Sequence, residues 1–387
     1  MKITDVEILT LPDGDQAMVL AVVHTESGLH GLGEIGLRDR YLAVRGALEH
    51  LRPLLIGQDA SRIEHLWQTM ARNGFYPADR IVASAVAAVD VALWDLAGKR
   101  FGVPTYELLG GRVRDYVPCY AHVPGDNAPP TEFLAACRAL VADGWRHLRF
   151  APPDPVGEPG TVLRRTIERF HSARAALGHD VELIIDVHTR LRAADAVTLC
   201  REVEGARPYF VEDPLRAEGL ESYRMLRSRT AVPLAAGEQL GSKWEFRRLV
   251  EEDLVDVARI DVGIAGGITE ARKIAGWCET HYIDIATHVP CGPVNAAAAL
   301  HLNLATSNVR VQEQTRMSAR GSERAGGGQT TPEFFDIGFT SAAGRLTPSG
   351  RPGLGVEIDL AAARAAPEPR PAERSPLHRP DGTYTNW

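Results

Sequence analysis

Residues 2 to 11, KITDVEILTL, alternate apolar with polar side chains, and MVLAVVHT at 18 to 25 and LHGLGEI at 29 to 35 follow, with TESG turning the chain between them. Successive side chains of a strand face opposite ways, so this pattern predicts a three-stranded meander. The period then changes. In ASAVAAVDVALWDLAGKRFG the residues Val86, Val89, Leu93 and Leu96 fall on one helical stripe, and Gly102-Val103-Pro104 stops the helix. Residues 1–118 therefore read as an α+β domain.

From about 119 onward short apolar runs alternate with helical stretches. HLRF (147–150), ELIID (182–186), YFVED (209–213), PLAAGE (233–238), VARID (257–261), DIATH (284–288) and VRVQE (309–313) are candidate strands, separated by segments such as GTVLRRTIERFHSARAALG and GGITEARKIAGWCETH. Repeated strand-helix units predict a parallel sheet, and seven or eight in succession favour a closed TIM-type barrel over an open sheet. The barrel is assigned to 119–330. The last 25 or so residues are rich in Pro and Arg and carry no candidate chemistry, although TYTNW has aromatics with which to dock.

At 387 residues, with 44% hydrophobic and 24% charged, the chain has room for two ordinary globular cores. A net charge of -7 with arginines scattered among acids provides no basic field, which argues against nucleic acid. The N-terminal stretch carries Asp and Glu where a secretory signal needs an apolar run, and no window reads as approaching the ~20 apolar residues of a membrane span, so a cytoplasmic protein without a membrane partner is expected. Five widely spaced cysteines without a CxxC pair predict buried free thiols.

The chemistry gathers at the candidate strand ends. LIIDVHTR (183–190) runs from aliphatic residues into Asp186 and His188, which at i and i+2 of a strand share a face while Val187 points away. Asp186, Glu212, Glu238, Asp261, His288 and Glu313 follow one another at intervals of 26, 26, 23, 27 and 25 residues, one strand-helix unit each. A single strand-end acid commonly caps the next helix, but six polar residues in phase place them around one point at the barrel mouth. Asp186, Glu212 and Glu238 would repel one another unless a cation sat among them, and oxygen-only ligands suit a hard ion such as Mg²⁺. His188 is then read as a catalytic group in preference to a ligand. Strand parity turns Glu212 inward, leaving Asp213 to bond backbone near Pro214.

These residues, together with SAVAAVDVALWDLAGKRFGVPTYELLGGRVRD, DVHTR, VEDP, AAGEQL, RIDVGIAGGITE, HVPCGP, VQEQT and PGLGVEID, resemble the enolase superfamily, in its mandelate racemase-like branch and the galactonate dehydratase-type acid-sugar dehydratases. The resemblance spans residues from about 20 to 360. It implies a modified TIM barrel, (β/α)7β, under an N-terminal α+β capping domain (1–118), with 331–387 returning to the cap. It further implies Mg²⁺ on Asp186, Glu212 and Glu238, an Asp261-His288 dyad as general base, a protonated Glu313 bonded to the substrate carboxylate, and His188 as general acid. The partner would be a small acid sugar, an aldonate such as galactonate or gluconate dehydrated to a 2-keto-3-deoxy acid, and the assembly a homo-oligomer, dimer or octamer. An epimerase or cycloisomerase on the same scaffold, or a non-catalytic ligand-binding member, are the alternatives.

Departures from that pattern matter. Arg149 stands where many members carry lysine, and a guanidinium cannot act as a second base, so it reads as a clamp on a substrate oxygen or as a salt bridge. His288-Val289-Pro290 replaces the common His-Asn-Pro. GLGEIG (31–36) spells a dinucleotide fingerprint, but the preceding turn makes it the last strand of a meander. Arg38, Asp39 and Arg40 reach substrate or form a solvated charge cluster. His122 and His147 are read as structural histidines outside the site, AGGGQ (325–329) as a flexible connection, and Gly266-Gly267 either as backbone donors to an anion or as close packing.

Overall fold

The computed structural model describes residues 1–13, 16–125, 127–153, 157–314, 334–369 and 377–385; the glycine-rich 325–329 run, the end of the 119–330 range and the final two residues of TYTNW lie outside them. Strands β1 (Ile3–Asp13), β2 (Gln16–Thr25) and β3 (His30–Glu34) form the antiparallel meander in that order. β2 is buried on both faces. Val19, Ala21 and Val23 pack under the helices of this domain, whereas Met18, Leu20 and Val22 join the core shared with the barrel.

Helices α1 (Tyr41–Leu55), α2 (Ile63–Ala71), α3 (Arg80–Phe101) and α4 (Thr105–Leu108) follow. Asp79 caps α3 by accepting from the backbone N–H of Ile81 and Val82, both at 3.0 Å, and Gly102 ends it in the left-handed conformation with φ 69°. The helix is buried on nearly every face rather than along one stripe, because it is sandwiched between β3 and the barrel. This corrects the reading that no window approaches a membrane span. Among the described residues α3 is long and apolar enough by length and composition, and most of that stretch is buried inside the protein.

Gly31 and Gly33 allow the sandwich. A methyl group on Gly33 would stand 1.6 Å from the Ala88 carbonyl oxygen, and one on Gly31 2.0 Å from that of Ala92. Thus the GLGEIG glycines serve close backbone approach within an antiparallel sheet.

The second unit is a closed barrel. Among the described residues, parallel strands β4 (Val117–His122), β5 (His147–Phe150), β6 (Glu182–Asp186), β7 (Phe210–Glu212), β8 (Leu234–Ala236), β9 (Val257–Ala258), β10 (Asp284–Thr287) and β11 (Val309–Gln314) pair in sequence, and β11 pairs with β4 to close the ring. Helices α5 (Pro130–Ala142), α6 (Pro159–Leu177), α7 (Ala193–Glu204), α8 (Leu220–Arg227), α9 (Lys243–Glu251), α10 (Ile268–Thr280) and α11 (Pro293–Leu304) connect them, the (β/α)7β order.

Inside, Tyr120, Ile184, Phe210, Ala235, Val257, Ala286 and Val311 make one apolar layer. Two residues further along the same strands, hence on the same inward face and nearer the mouth, come His122, Asp186, Glu212, Gly237, Arg259, His288 and Glu313. The apolar layer is thus the floor of a polar one.

The chain continues in β12 (Phe335–Ile337), β13 (Phe339–Ala342), β14 (Arg345–Pro348), β15 (Val356–Ile358) and α12 (Leu360–Ala365). The β13-β14 hairpin adds to β4, the Leu354 backbone N–H donates to Asp95 on α3 at 2.8 Å, and Arg364 pairs with Glu7 on β1. All five cysteines are buried free thiols.

Two glycines test the packing. Gly33→Ala is expected to cost about 1–3 kcal/mol or more through overpacking, whereas Gly46→Ala, in α1 with nothing within 4 Å, should gain about 0.5–1 kcal/mol. Thermal melting of both variants checks this; a Gly33→Ala protein as stable as the parent would refute the close-approach argument.

Candidate active site

His288 follows the end of β10 and faces inward. Its Nδ1 donates to Asp261 Oδ2 at 2.7 Å, and Asp261 is itself fixed by the Gly263 backbone N–H at 2.8 Å. With Nδ1 engaged, Nε2 points into the mouth, 3.6 Å from Glu238 Oε2 and 3.8 Å from Glu313 Oε2. Burial alone would lower the imidazole pKa, but Glu238, Glu313 and Asp261 outweigh it and push it up to about 10.

The acids lie beside this dyad. Asp186 and Glu212 are register partners on β6 and β7, and one oxygen from each of Glu212, Asp213 and Glu238 falls within 4.8 Å of the other two. Glu238 turns inward because Gly237 before it adopts φ 132°. Asp213 does not bond backbone near Pro214 as expected. β7 ends at Glu212, the chain bends at Asp213 with φ 37°, and the carboxyl swings toward Glu238, so strand parity no longer separates the two neighbours. Burial chiefly, with Glu238 and Glu212 adding, raises Asp213 well above the usual carboxylate range, and burial with Glu238 raises Glu212 to about 7 against the opposing Arg259.

The shared-face argument for Asp186 and His188 also fails. β6 stops at Asp186, and His188 and Thr189 adopt φ 56° and 60° in a turn, from which the His188 backbone N–H donates to Asp186 Oδ1 at 2.8 Å. His188 still borders the acids, since Glu238 acts on its charge. Burial, with Arg149, Arg190 and His288, nevertheless lowers it to about 4. Asp186 Oδ2 faces the Arg149 guanidinium in an ion pair.

Arg149 also contacts His122. A guanidinium keeps its protons, so Arg149 Nη1 donates to His122 Nδ1 at 3.0 Å, which leaves the proton on Nε2 to donate to Glu313 Oε1 at 2.8 Å. His122 therefore belongs to the site, against expectation. Its strand, VPCYAH, is not among the candidate strands; the signal for it is Tyr120 and His122 at spacing two. Glu313 further accepts from the Val289 N–H at 3.0 Å and contacts Arg259. Burial would raise its pKa, but His288, His122 and Arg259 hold it well below the usual carboxylate range, so it stands as an anion in the free site.

Of the other candidates, Arg38 is buried and bridges Asp13 to the Pro290 carbonyl oxygen, while Asp39 and Arg40 face solvent. His147, at the start of β5 and away from the mouth, packs its ring at a tilt of 57° against Tyr209. Gly267 approaches Asp90 so closely that a methyl would stand 2.3 Å from Asp90 Oδ2, which favours packing over anion binding.

The donors suit a hard cation. Among the described residues, both Glu212 oxygens, Asp186 Oδ2 and Asp213 Oδ2 are buried without an aligned hydrogen bond; Glu212 Oε1 there has an ion-pair contact to Arg259 at 2.8 Å, and Asp186 Oδ2 one to Arg149. Buried carboxylates in this state require positive charge, and an all-oxygen set matches Mg²⁺ or a similar ion.

Barrel, cap and mouth together define an enolase-type lyase or isomerase scaffold. The chain belongs to the mandelate racemase / muconate lactonizing enzyme family: residues 6–110 match its N-terminal domain and residues 132–363 the enolase C-terminal domain-like family. It is 38% identical over 395 residues to a D-galactonate dehydratase of Ralstonia nicotianae and 37% identical over 397 residues to one of Verminephrobacter eiseniae, each match covering 100% of both chains. Among solved structures, an enolase of Agrobacterium radiobacter with bound sodium and L-malate superposes with TM-score 0.89 at 30% identity, covering 100% of both chains. An enolase of Pantoea ananatis with bound D-gluconate and magnesium superposes with TM-score 0.86 at 29% identity, covering 100% of this chain and 96% of that one.

The dyad predicts a pH effect on the chelator-treated protein. His288 is raised above its unfolded value of about 6.5, so its contribution to stability is fully present below that pH and is lost as pH rises through about 10. Between pH 7 and 10 the urea midpoint of the parent should fall further than that of His288→Asn; equal falls would remove the claim.

Proposed function

We propose that the protein is an acid-sugar dehydratase, removing water from an aldonate such as galactonate or gluconate to give a 2-keto-3-deoxy acid. The observation that carries this is the orientation of His288: Asp261 holds Nδ1, so Nε2 is presented between the acid cluster and Glu313. The imidazole is charged in the free site, so it must first give up its Nε2 proton, after which it can take the C2 proton of a carboxylate substrate as general base. Similarity to D-galactonate dehydratases along the whole chain supports the reaction class.

Asp186, Glu212 and Glu238 would hold Mg²⁺, which when bound supplies the positive charge that stabilises the developing enediolate. Asp213 borders the same oxygens. Glu313, an anion in the free site, hydrogen-bonds the substrate carboxylate once it takes up a proton, because two carboxylates at that distance repel. His188, neutral in the free site, must first take up a proton, which it then delivers as the 3-hydroxyl leaves as water. The enol that remains ketonises to the 2-keto-3-deoxy acid. Arg149, freed from Asp186, clamps a substrate oxygen. Assembly as a dimer or octamer is proposed from the family likeness, and sedimentation velocity tests it.

In D₂O with Mg²⁺ and a panel of C5 and C6 aldonates and aldarates, proton NMR should reveal a 2-keto-3-deoxy product from at least one acid, and His288→Asn should abolish it. Exchange at C2 without water loss would shift the reading to an epimerase. Calorimetric titration should find Mg²⁺ binding weakened at least ~10-fold by Glu212→Gln and by Asp186→Asn, and less by Asp213→Asn. If Asp213→Asn were the most damaging of the three, the ligand set would be Glu212, Asp213 and Glu238 instead.

A further inference from the structure

The polar layer contains a charge that the proposed reaction leaves unused. Arg259, two residues before Asp261, is fully buried at 0% exposure on the inward face beyond β9. Its Nη2 lies 2.8 Å from Glu212 Oε1, 3.0 Å from Glu313 Oε2 and 3.8 Å from Glu238 Oε2, and donates to the Tyr120 hydroxyl at 2.8 Å. Nη1 donates to the Ala286 carbonyl oxygen at 3.1 Å, anchoring the group to β10. Packing does not account for it, because an apolar residue of similar volume fills a core without desolvating a cation. The guanidinium cannot shed its charge, so the barrel mouth carries a permanent positive centre between two carboxylates with different tasks.

We propose that Arg259 is a positioning residue: through one nitrogen it ties Glu212, on the cation side, to Glu313, on the substrate-carboxylate side, and as a resident positive charge it weakens divalent-cation binding. The proposal rests on the roles assigned above to those two acids. Substrate bridges the two sides, so the spacing that Arg259 fixes is the spacing the reacting carbons must match. The price is electrostatic, since a cation that contacts Glu212 competes with Mg²⁺ for the same carboxylate.

Arg259→Lys keeps the charge but not the fork, so one ammonium cannot hold Glu212, Glu313, Tyr120 and the Ala286 carbonyl together. Its kcat should fall ~10²-fold, the effect of an ångström-scale misplacement, with KM, melting temperature and Mg²⁺ affinity nearly unchanged. Arg259→Met removes the charge, so Mg²⁺ alone, titrated calorimetrically, should bind about 10-fold tighter while turnover is lost. A merely structural arginine would behave otherwise, with affinity, turnover and melting temperature declining together in both variants, and that result overturns the proposal. Parent-like kcat in Arg259→Lys overturns it as well, and this variant decides the matter if Arg259→Met does not fold. If the parent dehydrates none of the acids yet Arg259→Met tightens Mg²⁺ binding, the dehydratase reading falls and the counter-charge role of Arg259 stands.

Discussion

Six carboxyl groups, Asp186, Glu212, Asp213, Glu238, Asp261 and Glu313, are buried to 9% exposure or less at one end of the barrel, and compensating them is the constraint the site depends on. A buried carboxylate without partners is far more costly than any packing gain can offset. Arg259 from below and Arg149 from β5 supply cations, His288 supplies a third, and the backbone N–H groups of His188, Gly263 and Val289 cover single oxygens. Glu212 and Asp213 remain raised, and this residual demand for positive charge is what a divalent ion would satisfy. The apolar ring from Tyr120 to Val311 beneath keeps water out, so each charge acts at full strength.

The same economy of buried acids joins the two units. Glu34, at the end of β3, accepts from the backbone N–H of Gly292 at 2.5 Å and of Asn295 at 3.1 Å where α11 begins. Asp90 on α3 accepts from the N–H and hydroxyl of Thr269 in the first turn of α10, and Trp67 donates to the Gly266 carbonyl at 2.7 Å. Helix N-termini offer unpaired N–H groups and positive dipole ends, so acids of one domain cap helices of the other. Glycines at 36, 263 and 267 allow the backbones to approach closely enough. Arg38 then rests on the Pro290 carbonyl, two residues from His288, making the cap a fixed wall of the mouth.

Much of this was readable from strand phase. Asp186, Glu212, Glu238, Asp261, His288 and Glu313 recur once per strand-helix unit, and all six reach the mouth. Reading only the final polar residue of each strand hid Arg259, which precedes Asp261 on the same face. His122 reads as structural because a lone histidine near a strand most often is, and β4, which carries it to the mouth, is not among the candidate strands. The period of two does not reach His188 and Asp213, because both lie in left-handed turns beyond the ends of β6 and β7.

The amino-acid sequence by itself determined the alternation of elements, the two-unit organisation of the fold and six of the polar side chains that reach the barrel mouth, because these follow from local periods of two and 3.6 and from a near-constant repeat length. Tertiary structure alone decided which charge meets which. Arg259 and Tyr120 are 139 residues apart, His122 and Glu313 are 191, and Arg38 and Pro290 are 252, yet all are in contact. Such pairings depend on barrel closure and on the seating of the cap, which bring the strand ends within hydrogen-bond range. No local pattern encodes those distances.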